Sequence, residues 1–244
     1  MWSIVTPMAW VRDGHCLYLG PPPRGDFHST ATAQLVVGVD APVVLQADGL
    51  PDIAVGSAVI PARTTHRVHA LGDCVLLCYF DPAGNRSARD FASLRDMHGP
   101  MGIGHPREEL LVDAVSRRAV DVDALLGLAS LPDGRPIDAR IPLVAGLIRA
   151  DPALAHRAAA HAADLGLSTS HFLRLFGEQT STSYRRYIQW ARIVHAASAV
   201  SRGCDFSRAA SDSGFSSPSH FSDVFRAVFG VTLSSLVAAG LQFG

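Results

Sequence analysis

The chain has 244 residues, a formal net charge of −1 and four cysteines. That length holds one large domain or two small ones, each with its own core, and so few cysteines do not make a disulfide framework. No unbroken apolar run reaches the ~18 residues of a membrane span, and the N-terminus lacks the charged and apolar regions of a signal peptide. A soluble, cytoplasmic protein with no membrane partner is expected.

The charge is unevenly spread. All 21 basic residues are arginine; residues 1–139 hold 11 of them against 16 carboxylates, and residues 140–244 hold 10 against 6. The C-terminal part is the one suited to a polyanion.

In chain order, residues 1–80 read as β. The runs "AQLVVGVD", "PVVLQAD", "GSAVIPA" and "CVLLCYF" are short, rich in Val and Leu, and punctuated by Gly, Pro and Asp, as in a small barrel or sandwich. Cys74 and Cys78 lie about 13 Å apart along such a strand, too far for a bridge, and read as buried thiols. "DPAGNRS" (81–87) is a turn-rich exit.

Between 88 and 131 the period changes: "ARDFASLRDM", "REELLVDAVSRRAV" and "DVDALLGLASL" place apolar residues at helical spacing. "LPDGRPID" (131–138) reads as a linker. From Ala139 onward only helices are expected, near 140–150, 153–165, 168–178, 182–201, 205–213, 217–229 and 232–239. The division is thus residues 1–87, a helical region 88–138, and an all-α part 139–244.

Within that last part a phrase is repeated. "STSHFLRLFG" (168–177) and "SPSHFSDVFRAVFG" (217–230) share Ser-His-Phe at an offset of 49 positions. In the second copy Phe221, Val224, Phe225, Val228 and Phe229 form one buried helical stripe, opposite Ser219, Ser222, Asp223 and Arg226. A small-residue helix ending at Gly214 precedes it, and glycine supplies the positive φ of a tight exit. The first copy repeats this with Gly166 at the turn, Ser168 as N-cap and Phe172, Leu175 and Phe176 inside. Each is a helix-turn-helix. His171 and His220 read as helping to cap or pack these helices. The helix between the copies, 183–200, spans roughly 27 Å. Since one turn of B-DNA advances about 34 Å, it can hold two recognition helices against successive major-groove segments.

With these features, residues ~140–240 resemble the DNA-binding domain of the AraC/XylS family of bacterial transcription regulators. "GFSSPSHFSDVFRAVFG" is close to that family's signature. The resemblance implies double-stranded DNA as partner, with Ser168, Thr169, Ser170, Leu173 and Arg174 of the first helix and Pro218, Ser219, Ser222 and Asp223 of the second facing the bases. Arg174 is the candidate for a bidentate guanine contact, and Arg185, Arg186, Arg192 and Arg226 for phosphates. Departures are Asp223, where a basic residue is frequent, Ser181 in place of a glycine, and His161 at a usually apolar position, read as packing.

"GSAVIPARTTHRV" (56–68) and "GDFHSTATAQLVVG" (25–38) resemble the two motifs of the cupin barrel. Where that family's metal binders place four ligands, this chain has His28, Thr30, Gln34 and His66. Thr and Gln are poor replacements for N and O ligands, so neither metal nor cofactor is expected. His28, Gln34 and His66 are instead the candidates for polar contacts to a small-molecule effector. The expectation is a cupin-like sensor joined to the DNA-binding domain in a transcription regulator, an activator by family resemblance. RNA polymerase and a second copy of the chain are the further partners expected. The reading weighed against it is a metal-dependent cupin enzyme fused to a DNA-binding tail.

Overall fold

An Asp-Gly pair sets the first turn. In the computed structural model, which describes residues 6–84, 91–117, 119–131 and 137–244, β1 (Met8–Arg12) and β2 (His15–Gly20) pair antiparallel across Asp13 and Gly14. Both turn residues have positive φ, +48° and +84°, as a two-residue hairpin loop of this hand requires.

The four strands expected from apolar runs are β3 (Gln34–Gly38), β4 (Val43–Ala47), β6 (Ser57–Ile60) and β8 (Val75–Tyr79). Two more, β5 (Ile53–Val55) and β7 (His66–Ala70), flank β4 in a three-stranded sheet ordered β5-β4-β7. Strands β6 and β8 are buried throughout and β3 in its first four residues. These strands are covered on both faces, which is why they appear in the sequence as continuous apolar runs rather than as alternation.

One expected helix is a strand pair. The part of "ARDFASLRDM" that the structure describes, from Phe91, is a turn leading into β9 (Asp96–His98), and β10 (Met101–Ile103) follows. Phe91, Leu94, Met97 and Met101 are spaced three or four apart, which suits a helix. Gly99 and Gly104, at φ +58° and +73°, turn the chain instead, and β10 pairs with β6 through Gly102↔Val59 and Ile103↔Ala58. The expected helices after it are present as α1 (Glu108–Val115) and α2 (Val122–Ala129). Leu111, Val115, Leu125 and Leu126 pack on Leu35, Val37, Val59, Leu76 and Cys78 of the sheet. The linker reading at 131–138 falls mostly on 132–136, outside the described residues.

The seven C-terminal helices are α3 (Arg140–Ala150), α4 (Ala158–Asp164), α5 (Thr169–Thr180), α6 (Tyr184–Ser201), α7 (Phe206–Asp212), α8 (Pro218–Phe229) and α9 (Leu233–Ala238). Five have side-chain N-caps: Ser168, Ser183, Asp205, Ser217 and Thr232 each accept from the N–H three residues on. Only α4 departs clearly from expectation, starting at Ala158 rather than near 153. The chain turns after Asp151–Pro152, with the His156 Nε2 2.7 Å from the Asp151 carbonyl. Ser181 closes α5 at φ +56°, a left-handed cap. No helix among the described residues is long and apolar enough to cross a membrane.

The last strand was not expected. After α9 the chain reverses and β11 (Gln242–Phe243) joins β1 in parallel, completing an eight-stranded sheet ordered β11-β1-β2-β8-β3-β6-β10-β9. The helical part is therefore not a separate bead. Tyr79 of β8 meets Phe229 of α8 edge-on at 4.9 Å and Trp190 of α6 at 6.3 Å, and one apolar cluster runs from the sheets into the helices.

Candidate nucleic-acid interface and effector pocket

The two helices that carry the repeated phrase, α5 and α8, bury the same face and show the same face. Phe172 and Phe176 in α5, and Phe221, Phe225 and Val228 in α8, are inside. Ser168, Thr169, Ser170, Leu173 and Arg174 are exposed, as are Pro218, Ser219 and Asp223, while Ser222 is half-buried. The glycines ahead of both, Gly166 and Gly214, have φ +66° and +82°. The two turns differ in length: Gly166 stands two residues before its N-cap serine and Gly214 three.

The repeated histidines serve the caps through their backbones. The His171 N–H donates to Ser168 Oγ at 3.3 Å and the His220 N–H to Ser217 Oγ at 3.0 Å, with both residues exposed. The His220 ring also lies 2.9 Å from Ser216 Oγ. His161 is buried, 5.5 Å from the His156 ring and beside Phe172 and Tyr184.

The arginines fall into different settings. Arg185 is exposed. Arg174 pairs with Glu178 one turn on at 2.9 Å. Arg192 is half-buried and its Nε donates to the Pro152 carbonyl at 2.9 Å. Two reach the β-sheet part: Arg186 lies 3.4 Å from Ser29 Oγ, and Arg226 donates to Asp26 at 2.5 Å. The hydrogen bond from Arg226 holds the Asp26 carboxyl below the usual carboxylate range. Sequence reasoning missed Asp26 altogether, because nothing local marks a partner 200 positions away.

The helices that support α5 and α8 are anchored more firmly beneath the surface. Arg149 of α3 donates to the buried Asp81 at 2.5 Å and to the Tyr187 hydroxyl at 2.9 Å. Burial pushes the Asp81 carboxyl above its usual range, against the pull of Arg149 and the Ala83 N–H. The Trp190 Nε1 donates to the Gly14 carbonyl at 3.1 Å. These contacts fasten α3 and α6 to the β1–β2 hairpin and the end of β8.

The three effector candidates come together. His66 is fully buried, with Nε2 3.0 Å from Gln34 Oε1 and Nδ1 2.8 Å from the Thr64 carbonyl. Gln34 in turn donates to the Tyr79 hydroxyl at 3.1 Å. Both His66 nitrogens thus face oxygens, which a charged ring satisfies outright and a neutral ring satisfies once the Gln34 amide is turned over. Burial decides for the neutral ring, holding the His66 pKa down to about 4 with further help from His28. The His28 ring is 4.5 Å away; its Nδ1 faces the Asp26 carbonyl at 3.0 Å and its buried Nε2 has no partner. Thr30, the fourth residue of the motif, turns its hydroxyl to the Thr32 carbonyl. Among the described residues no group of three or more His, Cys, Asp or Glu is placed to hold a metal ion.

His28 and Gln34 line a small cavity with Arg67, Tyr79 and Phe229. Next to it, a cavity of about 80 Å³ lies between the sheet and helices α6, α8 and α9, bounded by Trp10, Tyr18, Ile193, Phe225, Leu233 and Phe243 among others. No charged residue lines this second cavity.

The family model described as a helix-turn-helix domain matches residues 161–239. Among solved structures, an apo point variant of ToxT from Vibrio cholerae strain SCE256 has a TM-score of 0.63 at 15% identity, covering 94% of this chain and 98% of that one. Wild-type ToxT of that strain, bound to an unsaturated fatty acid, gives 0.60 at 15% identity over 97% of both chains. ToxT from Vibrio cholerae O395 gives 0.61 at 15%, over 93% of this chain and 98% of that one. Among curated proteins none matches. The likeness to ToxT shows a shared fold over nearly the whole length: a β-rich part followed by helices that carry the helix-turn-helix domain.

Proposed function

Starting from residues 161–239 as a helix-turn-helix domain of the AraC type, we propose that this protein is a sequence-specific DNA-binding transcription regulator whose β domain senses a small molecule. The observation that carries the reading is the pair of outward polar faces on α5 and α8, two helix-turn-helix units joined through the single long helix α6. Helix α6 has 18 residues, about 27 Å, which suits readers set against major-groove segments roughly 34 Å apart. In this reading Ser168, Thr169, Ser170, Leu173 and Arg174 meet bases from α5, and Pro218, Ser219, Ser222 and Asp223 from α8. Arg185, Arg186, Arg192 and Arg226 serve phosphates, the last three after giving up the partners they hold here.

The effector reading rests on the neighbouring cavities. A polar corner at His28 and Gln34, backed by the buried His66, adjoins an apolar space between the two parts, so a ligand with an apolar body and a hydrogen-bonding end fits the chemistry. ToxT bound to an unsaturated fatty acid supports an apolar effector in this fold. About 80 Å³ is roughly half of a cavity that accepts benzene, so anything larger must part the seam. Such a ligand shifts the population towards states in which the reader helices sit differently on the sheet. Residues 88–138 are the candidate dimer contact or relay, and activation through RNA polymerase is the regulatory outcome assigned.

Arg174 tests the base-reading role. Replacing it with alanine is expected to weaken specific binding by about 1–3 kcal/mol and to relax preference at one base position. Selection of preferred duplexes from a random pool by both proteins measures this. An unchanged preference removes Arg174 from the readers.

A further inference from the structure

The last four residues return from the reader domain to the other end of the chain. Gly240, at φ +86°, turns the chain after α9, and Gln242 and Phe243 align with Met8 and Ala9 of β1. The Gln242 N–H donates to the Pro7 carbonyl at 2.8 Å and the Gly244 N–H to the Ala9 carbonyl at 3.0 Å. β1 would otherwise be an open edge, with backbone groups ready to accept a strand. Leu241 and Phe243, both half-buried, share the apolar cavity with Phe225 and Phe229 of α8. The tail therefore closes one side of the cavity whose other side is the helix that carries Arg226, held by Asp26. Asp26 is itself tied there by a second bond, its N–H to the Gly230 carbonyl at 3.0 Å.

From these contacts we propose that the C-terminal strand is an intramolecular clasp. Docked on β1, it pins the second recognition helix to the β domain and keeps Arg226 on Asp26 rather than on a DNA phosphate. The clasp is built to be reversible. A two-residue ladder and two half-covered side chains make a small contact, and the Asp26–Arg226 pair is exposed on both sides, so both lie near balance with their open forms. DNA and the docked tail compete: a phosphate that takes Arg226 removes one hold on α8, and release of the tail removes another. This rests on the proposed DNA-binding function and adds the element that restrains it.

The test compares wild type with Gln242→Pro, which deletes the donor to Pro7 and leaves the rest of the tail in place, and with a chain ending at Gly240. The probe is a random-sequence duplex of about 30 base pairs, long enough for two groove segments one turn apart, titrated over a range of salt. Release is expected to tighten binding about two- to fivefold, the equivalent of one exposed ion pair no longer competing. It should also steepen the salt slope by about one. In an Arg226→Ala background the gain should vanish. Hydrogen exchange on the wild-type chain gives an arm that needs no variant: DNA should speed exchange at the Gln242 and Gly244 amides. Equal binding by wild type and both tail variants, or tail amides as protected with DNA as without it, overturns the clasp alone. Failure of every form to bind DNA overturns the function and the clasp together.

Discussion

A Trp190→Ala variant is expected to lose about 3–5 kcal/mol of unfolding free energy, the range for deleting a large aromatic from a core. Trp190 is 1% exposed. Its ring lies 6.3 Å from Tyr79 and 6.1 Å from Phe229, so the deletion opens a void where α6, α8 and the sheet meet. It also strips the Gly14 carbonyl of its indole donor, and a buried acceptor left unpaired adds its own cost. Because the apolar cluster is continuous from sheets to helices, unfolding in denaturant followed by circular dichroism should show one transition, moved as a whole. A loss below about 1 kcal/mol, or two transitions of which only one moves, contradicts the picture of a shared core.

The second large effect is set by acid. The His66 pKa is lowered from 6.5 to about 4, so between those values the unfolded chain takes up a proton that the folded chain refuses. Stability contributed by the neutral ring is complete above pH 6.5 and is lost as pH falls towards 4, about 3 kcal/mol in all. Carboxylates and His105, also held down to about 4 by burial, add their own acid dependence, so a difference is the quantity to measure. Denaturant unfolding of wild type and His66→Asn at pH 7 and pH 4.5 should show the variant less stable at neutrality but losing less on acidification. Parallel losses in the two proteins show that His66 is not buried as a neutral ring.

What the sequence discloses here follows from how local each signal is. Helices α5 to α9 are legible because their caps are serine, threonine or aspartate at the boundary, and in α5 and α8 phenylalanines also recur at helical spacing. The repeat of Ser-His-Phe marks the two readers, since both must turn a cap and a buried ring the same way. Strand pairing is less open. The Asp13–Gly14 turn was a readable hairpin signal between Trp10 and Leu17, but β9 and β10 hide behind a spacing that suits a helix until Gly99 and Gly104 are given weight. The seam between the two parts is invisible from sequence. Asp81 with Arg149, Gly14 with Trp190 and Asp26 with Arg226 join residues between 68 and 200 positions apart, and a charged or small residue in isolation does not announce its partner. β11 is hidden for a different reason: two residues of strand carry no periodicity at all.

The polar corner at His28, Gln34 and His66 illustrates both limits. These three residues are grouped through the resemblance to the two cupin motifs. What they do to one another is not legible, because the Gln34 amide between His66 and Tyr79 depends on strand register: Gln34 pairs with Tyr79 across β3 and β8, and His28 bridges to His66. The same register buries Cys74 and Cys78. Burial raises the pKa of both thiols, to about 11 for Cys74 and beyond the usual thiol range for Cys78, as expected of structural rather than reactive cysteines.

The central claim is that α6 holds two readers against one face of a duplex. Dimethyl sulfate and hydroxyl-radical footprinting on a duplex selected from genomic DNA measures it directly. Two protected major-groove segments are expected on the same face, centred about 10 base pairs apart, with Arg174→Ala weakening only the segment under α5. A single protected segment, or two on opposite faces of the duplex, contradicts it.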